Sequence, residues 1–147
     1  MKRYLIAGAI AMSSALPASA ELISVVSNKS VSASLDALQA AVENAGAKVF
    51  ARVDHAGGAQ KIGESLADAE LLIFGNPKIG TPAMQADIKA GLFLPLKVLA
   101  YEDADGTVYL TYEDPAASFA GLNIAPDAPF LAKMKGALGK LTAAAAE

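Results

Sequence analysis

Residues 96–114 read LKVLAYEDADGTVYLTYED, and this stretch is the clearest indication of the fold class. Its two halves are rich in β-branched and aromatic residues, as strands are, and a short polar turn joins them. Asp105 and Gly106 form a dipeptide that favours a tight turn between antiparallel strands. The stretch therefore predicts a β-hairpin that ends at Asp114 and Pro115. A direct hairpin is typical of an antiparallel sheet and not of a doubly wound parallel one.

The remainder of the chain alternates between predicted strands and helices. Strands are predicted over Leu22–Ser27, within AKVFARVDH at 47–55, and over ELLIFG at 70–75. Apolar residues at helical spacing predict one helix that Ser30 caps and Gly46 ends, and a closing helix from Asp127 onward with a frayed TAAAAE tail. A short helix is predicted over 81–91 with Thr81 as its cap and Pro82 as its first residue, and the small, polar stretch 56–69 is predicted as a loop with room for one helical turn.

This order predicts an α+β fold, a two-layer sandwich of a mainly antiparallel sheet with helices packed on one face. The other face of the sheet would carry Phe50, Tyr101, Tyr109 and similar residues. If they lie uncovered together, they form an apolar patch that favours a partner or a ligand. Together with Tyr112, the hairpin tyrosines are expected to contribute to a dimer interface or a pocket wall.

Residues 1–20 have the pattern of a secretory signal peptide. Lys2 and Arg3 precede an apolar run, and the segment ends in small residues at 18–20. The run is shorter than the ~20 residues that span a bilayer. We therefore expect cleavage after Ala20, a periplasmic or secreted location, no membrane span after cleavage, and a single domain over residues 21–147.

Composition excludes several classes of function. The chain has 147 residues and is 54% hydrophobic, enough for one core, with 12 basic and 15 acidic residues and a net charge of −3. An acidic domain without a basic cluster is a poor candidate for binding nucleic acid. The absence of cysteine excludes thiol catalysis, thiolate metal sites and covalent c-type haem attachment.

Four segments carry a resemblance to a known family: VDHAGGAQ, LLIFGNPKIGTPAMQ, LPLKVLAYED and LTYEDPAA. They resemble the family named "domain of unknown function 302", over roughly Val31 to Leu122. The resemblance implies a two-layer domain related to the TATA-binding-protein fold, commonly dimeric, with unsettled chemistry. The family's motif positions in this chain are His55, Asn76, Pro77, Gly80, Thr81, Gln85, Asp87 and Tyr101. The predicted signal peptide is a departure, so a cytoplasmic role of relatives does not transfer.

The turn between residues 75 and 81 has the spacing of a phosphate-binding loop, G-x-x-x-x-G-T. The lysine that should follow the second glycine is missing, and Pro77 lacks a backbone N–H, so the sequence disfavours a nucleotide site. A weaker anion site could use free N–H groups after Gly80 together with Lys78. The alternative is conformational: Asn76-Pro77 and the residues from Gly80 onward set a sharp turn and a helix cap.

His55 is the only histidine in the chain and stands where a strand meets a Gly-Gly loop. Loops at strand ends often carry function. A zinc site there would need carboxylate helpers, for which the chain offers Asp54, Glu64 or Asp87. Haem needs only one neutral imidazole as its axial ligand in an apolar pocket. The structural alternative is a histidine that is merely hydrogen-bonded at the strand end.

No G-x-S-x-G elbow and no H-E-x-x-H motif occurs in the sequence. Gln85 and Asp87 could face a pocket together with His55, or could lie on a solvated helix surface. The leading hypothesis is a secreted, non-enzymatic, homodimeric module that binds a small ligand near His55 and the Asn76–Thr81 turn, with haem as the most concrete ligand. The alternatives are a hydrolase or isomerase that uses His55 with Asp87 or Glu64, and a purely structural envelope protein.

Overall fold

A computed structural model describes residues 21–147, so the predicted signal peptide lies outside the described residues. Five antiparallel strands form one sheet in the order β1-β5-β4-β3-β2. The strands are β1 (Leu22–Ser27), β2 (Lys48–Asp54), β3 (Ala69–Gly75), β4 (Leu96–Glu102) and β5 (Val108–Glu113). The helices are α1 (Val31–Asn44), α2 (His55–Lys61), α3 (Pro77–Ala86), a 3-10 turn (Ile88–Leu92), α4 (Pro115–Ser118) and α5 (Pro129–Ala146). The predicted α+β fold with an antiparallel sheet is confirmed.

The main core lies between one face of the sheet and the helices α1 and α5, which also pack against each other. Helix α1 contributes Leu35, Leu38 and Val42 at helical spacing, and the sheet contributes alternate residues such as Leu72 and Phe74. The alternation of side chains along a strand explains this division of faces. A second, smaller core joins α3, the 3-10 turn and the first half of α5, and it includes Ala83, Ala90, Phe119, Leu131 and Met134.

Strand alternation separates the three hairpin tyrosines. Tyr112 is 5% exposed and belongs to the main core. Tyr101 and Tyr109 are directly opposite each other on β4 and β5, and their rings stack with centroids 5.6 Å apart on the other face. Tyr109 and Tyr112 are three residues apart on β5, and side chains an odd number of residues apart on a strand point to opposite faces. The predicted tyrosine surface therefore contains Tyr101 and Tyr109 but not Tyr112.

The face of the sheet opposite α1 and α5 keeps apolar side chains accessible. On β1, Val26 is 56% exposed and pairs with Tyr109 of β5. Leu71 of β3 and Leu99 of β4 form a second, half-exposed cross-strand pair. Of the expected apolar patch, Tyr101 and Tyr109 lie together on this second face, whereas Phe50 lies toward the other end of the sheet, between the pairs Val49–Phe74 and Ala51–Ile73. We refer to this second face below as the open sheet face.

A β-bulge in β2 changes the predicted alternation of that strand. Val49 pairs with Phe74 and Ala51 pairs with Ile73, so Phe50 is the extra residue. Bulges shift the residues that follow them to the other face. Arg52 consequently reaches the helix layer, where it forms ion pairs with Asp36 of α1 and Glu70 of β3.

Helix α3 begins five residues earlier than the sequence predicted, at Pro77 and not at Pro82. Asn76 is its N-cap and Pro77 its first residue, so Thr81 is not a cap and Pro82 lies inside the helix. The Oδ1 atom of Asn76 accepts a hydrogen bond from the backbone N–H of Lys78 at 3.0 Å. Both Asn76-Pro77 and Thr81-Pro82 suit a helix start by local chemistry, and the first pair is used because it directly follows β3.

The remaining helix ends are mostly as predicted. Ser30 caps α1 by accepting from the N–H of Ala33 at 3.3 Å, and Gly46 follows its end with a φ of +74°. The stretch predicted as a loop begins with the seven-residue helix α2, capped by Asp54. The predicted fraying of the C-terminal tail is wrong: α5 continues to Ala146, and the carbonyl of Ala146 accepts the N–H of Asn28 at 3.2 Å.

Candidate functional site

A groove of about 490 Å³ lies at the end of the sheet where β2 begins, β3 ends and β4 begins. Helix α3 and the second half of α5 form its other sides. Its walls are mainly apolar and include Phe50, Phe74, Ile79, Leu94, Leu96, Met84 and Leu141. Pockets of this size and apolar character are the usual form of small-molecule sites. We refer to this cavity as the groove.

Small residues keep the groove open. A side chain at Gly75 would contact the Cβ of Pro95 at 3.5 Å and the ring of Phe50 at 3.6 Å, and one at Gly80 would contact Leu94 at 3.5 Å. Alanines at 45, 47 and 137 line other parts of the wall. Because these glycines and alanines have little or no side chain, a space remains between them and the large apolar residues across the groove. Larger side chains at these positions would fill that space.

Asn76 lines the groove, but its polar atoms already have partners within the fold. Its Oδ1 caps α3, and its Nδ2 donates to the carbonyl of Gly46 at 3.3 Å. The side chain therefore ties the turn after α1 to the turn after β3. This bonding supports the conformational role that the sequence left open. Thr81 also lines the groove and is exposed, so its hydroxyl is a more accessible polar group for a ligand.

The backbone at the start of α3 is not the anion site that the sequence suggested as one possibility. The N–H groups of Ile79 and Gly80 both donate to the carbonyl of Asn76, at 2.9 and 3.0 Å, and the N–H of Lys78 is taken by the cap. A helix start that satisfies its own donors leaves few for a phosphate. Lys78 itself is exposed, and its sequence neighbours Pro77 and Ile79 line the groove.

Asp87 has a structural role after α3. Its carboxylate accepts the N–H groups of Lys89 and Asn123, each at 3.0 Å, and its side chain is 8% exposed. These backbone bonds, first that from Asn123, lower the pKa of Asp87 below its ordinary value. The residue is thus held as an anion that joins the 3-10 turn to residue 123. Gln85 is exposed near the end of α3.

His55 and Tyr101 lie at the opposite end of the sheet from the groove. Asp54, which precedes His55, pairs with Glu70, whereas Lys48 pairs with Gly75 beside Asn76. Six residue steps of strand separate these two ends by about 20 Å. One small ligand therefore cannot contact both His55 and the Asn76–Thr81 turn within a single chain.

In the described part of the chain, the structure gives no support for a haem or metal pocket around His55. His55 is the exposed first residue of α2 and lines neither the groove nor the second cavity described below. Axial ligation of haem needs an apolar pocket around the imidazole, and these residues do not provide one. Within residues 21–147, no cluster of three or more His, Cys, Asp or Glu side chains is placed to hold a metal ion.

A second cavity of about 320 Å³ opens near the end of β5. Phe93 and Phe119 line it and pack edge to face with their ring centroids 5.7 Å apart. Its polar groups include Glu113 and Ser118, which are hydrogen-bonded to each other at 2.9 Å. Because these two polar groups are hydrogen-bonded to each other, they are less available to a ligand. The groove is therefore the stronger candidate site.

The sequence did not predict most of the groove wall. Met84, Leu94, Ala137 and Leu141 come from three separate segments and have the composition of ordinary core residues. The only local signal was the Gly- and Pro-rich stretch that follows β3. Its residues Asn76, Gly80 and Thr81 line the groove, but Asn76 is a helix cap and the other two lie inside α3, not in a turn.

Comparisons with known proteins agree on the fold. The family described as "Domain of unknown function DUF302" matches residues 23–146. The structure titled "Crystal structure of uncharacterized conserved protein DUF302 from Bacillus stearothermophilus" superposes with a TM-score of 0.77 over 84% of this chain and 97% of that one, at 17% identity. At that identity the likeness concerns the fold alone.

Curated relatives carry a different description. Proteins named "Fluoride-specific ion channel FluC 1" from Brucella suis biovar 1 (strain 1330) and Brucella abortus biovar 1 (strain 9-941) are 45% identical over 95 residues, or 65% of this chain. The matched part is 37% and 35% of those proteins, so the chain spans about a third of their length. Within residues 21–147, no helix has the length and apolar character needed to cross a membrane.

Proposed function

The chain belongs to the DUF302 family, and we propose that this member is a binding module that holds a small, mainly apolar ligand in the groove. The observation that carries the proposal is the groove itself, about 490 Å³ with apolar walls and an accessible hydroxyl at Thr81. A preformed apolar pocket with a few polar groups is the general form of a ligand site. The family name assigns no chemistry, so the argument rests on this geometry.

Binding is favoured over catalysis because His55 is distant from the groove and Asp87 is already engaged. Asp87 is bonded to two backbone N–H groups, and His55 is at the other end of the sheet. A general base must come within hydrogen-bond reach of the proton that it removes. The hydrolase or isomerase alternative using His55 with Asp87 therefore has no geometric support, and neither has haem ligated by His55 in the groove.

The groove is tested with an uncharged apolar fluorophore, N-phenyl-1-naphthylamine, added to the purified protein. We expect its fluorescence to rise with the wild type and to be lost with Ala137→Phe, because Ala137 is a wall residue and the ring would occupy the groove. Ala132→Phe is the matched control, since Ala132 is exposed on the same helix. Wild type without binding, or Ala137→Phe with unchanged binding and a native circular dichroism spectrum, would overturn the proposal.

We further propose that the module is a homodimer that pairs through the open sheet face. A two-fold dimer presents the same patch from both subunits, and the stacked Tyr101 and Tyr109 with Val26 and Leu99 supply its apolar centre. Five strands spaced at about 4.8 Å and about 20 Å long give the sheet face a projected area of about 500 Å². The accessible surface of its side chains is larger than this flat area and approaches the ~800 Å² that each partner buries in a standard interface.

Light scattering after size exclusion tests the dimer. We expect a dimer mass for the wild type and for the control variant Ala132→Asp. Tyr109→Asp should give a monomer mass, because dimerisation would remove an unpaired carboxylate from water and bury it in an apolar interface. A folded Tyr109→Asp variant that stays dimeric would exclude this face.

The location is also part of the proposal. Residues 1–20 are proposed as a signal peptide, on the pattern of charged, apolar and small residues in the sequence. Sequencing the N-terminus of the protein from an extracytoplasmic fraction should give Glu21 as the first residue. A chain recovered there with Met1 intact would contradict cleavage after Ala20.

A second candidate function comes from the curated relatives, which are named as fluoride-specific ion channels and are 45% identical over 95 residues. On that similarity, the chain would act as an accessory module alongside such a channel. Deletion of the gene should then change fluoride sensitivity of the host in a channel-dependent manner. Unchanged sensitivity in the presence of a working channel would reject this candidate.

A further inference from the structure

The charged residues that directly precede or follow groove wall residues in the sequence have one sign. Every Asp, Glu, Lys or Arg that is adjacent in sequence to a wall residue is a lysine, although acidic residues outnumber basic ones in the chain, 15 to 12. These lysines are Lys48, Lys78, Lys97 and Lys140. Lys97 lines the second cavity instead, which leaves Lys48, Lys78 and Lys140 as the charged residues that adjoin wall residues of the groove along the chain and do not line the second cavity. We call these three residues the lysine rim.

Each member of the rim is positioned by an element that also builds the groove. Lys48 pairs with Gly75, and its Nζ lies 5.5 Å from the centre of the Phe50 ring, a wall of the groove. Lys78 stands between two wall residues of α3, and Lys140 precedes Leu141 on α5. All three side chains are exposed, and none forms a salt bridge with another residue of the described chain.

The contact between Lys48 and Phe50 holds a positive charge at the groove. A cation over an aromatic ring is attracted by the negative face of the ring. Phe50 is available for this contact because the bulge in β2 leaves it outside the regular alternation of the strand. The same ring is therefore both an apolar wall and a support for the charge beside it.

From this arrangement we infer that the ligand of the groove is an anionic amphiphile, a carboxylate with a single apolar body. The apolar body fills the groove, and the carboxylate lies among the lysine rim. The polar atoms of Asn76 are engaged in the fold, which leaves the rim and Thr81 as the groups that meet the head. This inference rests on the proposed function, since it names the class of ligand for the same groove.

The test compares three probes with the same ten-carbon chain: decanoate, 1-decanol and decyltrimethylammonium. Their dissociation constants are measured at low salt, below the micelle concentration of each, by displacement of the fluorophore or by titration calorimetry. We expect decanoate to bind about tenfold tighter than 1-decanol, from about three exposed charge contacts. The cationic probe should bind more weakly than the alcohol, and added salt should reduce only the preference for decanoate.

Variants assign the preference to the rim. The triple variant Lys48→Gln, Lys78→Gln and Lys140→Gln should bind decanoate and 1-decanol equally, with the alcohol affinity unchanged from the wild type. Lys61→Gln is the matched control, because Lys61 is an exposed lysine on α2 at the other end of the sheet. It should retain the full preference.

The outcomes separate this inference from the proposed function. Equal affinity of the wild type for decanoate and 1-decanol overturns the inference and leaves the groove as a site for uncharged ligands. A preference for decanoate that survives the triple substitution also overturns the assignment to the rim. Failure of all three probes and of the fluorophore to bind would remove the groove as a ligand site altogether.

Discussion

Lys135 Nζ on α5 lies 2.7 Å from Oδ2 of Asp114, the residue that links β5 to α4. The Asp114 side chain is 4% exposed, whereas that of Lys135 is 62% exposed. The other carboxylate oxygen, Oδ1, accepts the N–H of Ala116 at 2.8 Å and so caps α4. One carboxylate therefore joins the sheet, a helix start and α5.

Replacing Asp114 should destabilise the fold. Asp114→Ala removes both the cap and the ion pair, and we expect a loss of about 2 kcal/mol in the free energy of unfolding. Asp114→Asn keeps an oxygen for the N–H of Ala116 and should lose less. Urea unfolding followed by circular dichroism measures both changes. Equal midpoints for Asp114→Ala and wild type would show that the carboxylate does not hold these elements together.

Stability should decrease at acid pH through Asp114 and Asp87. Burial raises the pKa of Asp114, but the Lys135 bond and the N–H of Ala116 outweigh it, so its pKa lies below the ordinary 3.8. Hydrogen bonds, first from Asn123, also lower the pKa of Asp87 from 3.8.

Because both folded-state pKa values are below the unfolded ones, the unfolded chain binds more protons in this range. Their stabilisation is complete above about pH 4 to 5 and is lost as the pH falls through the lowered values. Urea midpoints between pH 6 and pH 2.5 should therefore decrease less in the double variant Asp87→Asn with Asp114→Asn than in the wild type. Parallel pH curves for the two proteins would contradict the assignment.

Asn76 should matter for stability even without a ligand. Asn76→Ala loses the cap of α3 and the bond to the Gly46 carbonyl, and we expect a loss of about 1–2 kcal/mol. Asn76→Asp can keep the cap but cannot donate to Gly46, so its loss should be intermediate. Thermal unfolding in ligand-free buffer measures this order. If Asn76→Ala changes ligand affinity alone, the structural role of the side chain is wrong.

The end of α5 should be part of the folded core. Ala145 is fully buried and Ala144 is exposed, one position apart. Ala145→Asp places a carboxylate in the core, and we expect it to lose about 3 kcal/mol or more. Ala144→Asp should remain within about 0.5 kcal/mol of the wild type. Equal stability of the two variants would mean that the tail is frayed, as its alanine-rich sequence suggested.

Local chemistry was predictable wherever neighbouring residues decide it. The turn at Gly106, with a φ of +79°, and the cap at Ser30 follow from side chains and backbone preferences within a few residues. The start of α3 was missed because Asn76-Pro77 and Thr81-Pro82 satisfy the same local rules. The end of α5 was missed because an alanine-rich tail has no periodic pattern of large apolar residues, although Ala145 and Ala146 are buried in the main core.

The antiparallel α+β fold and the hairpin turn at Gly106 could be predicted from the residues alone, because periodicity and turn chemistry act over short distances. The family followed from the resemblance of four segments. The composition of the site depends instead on tertiary packing. His55 and Asn76 each follow a strand, but the two strands are antiparallel, so these residues lie at opposite ends of the sheet. The groove brings together α3, the residues before β4, and α5, which are distant in sequence and meet only through packing.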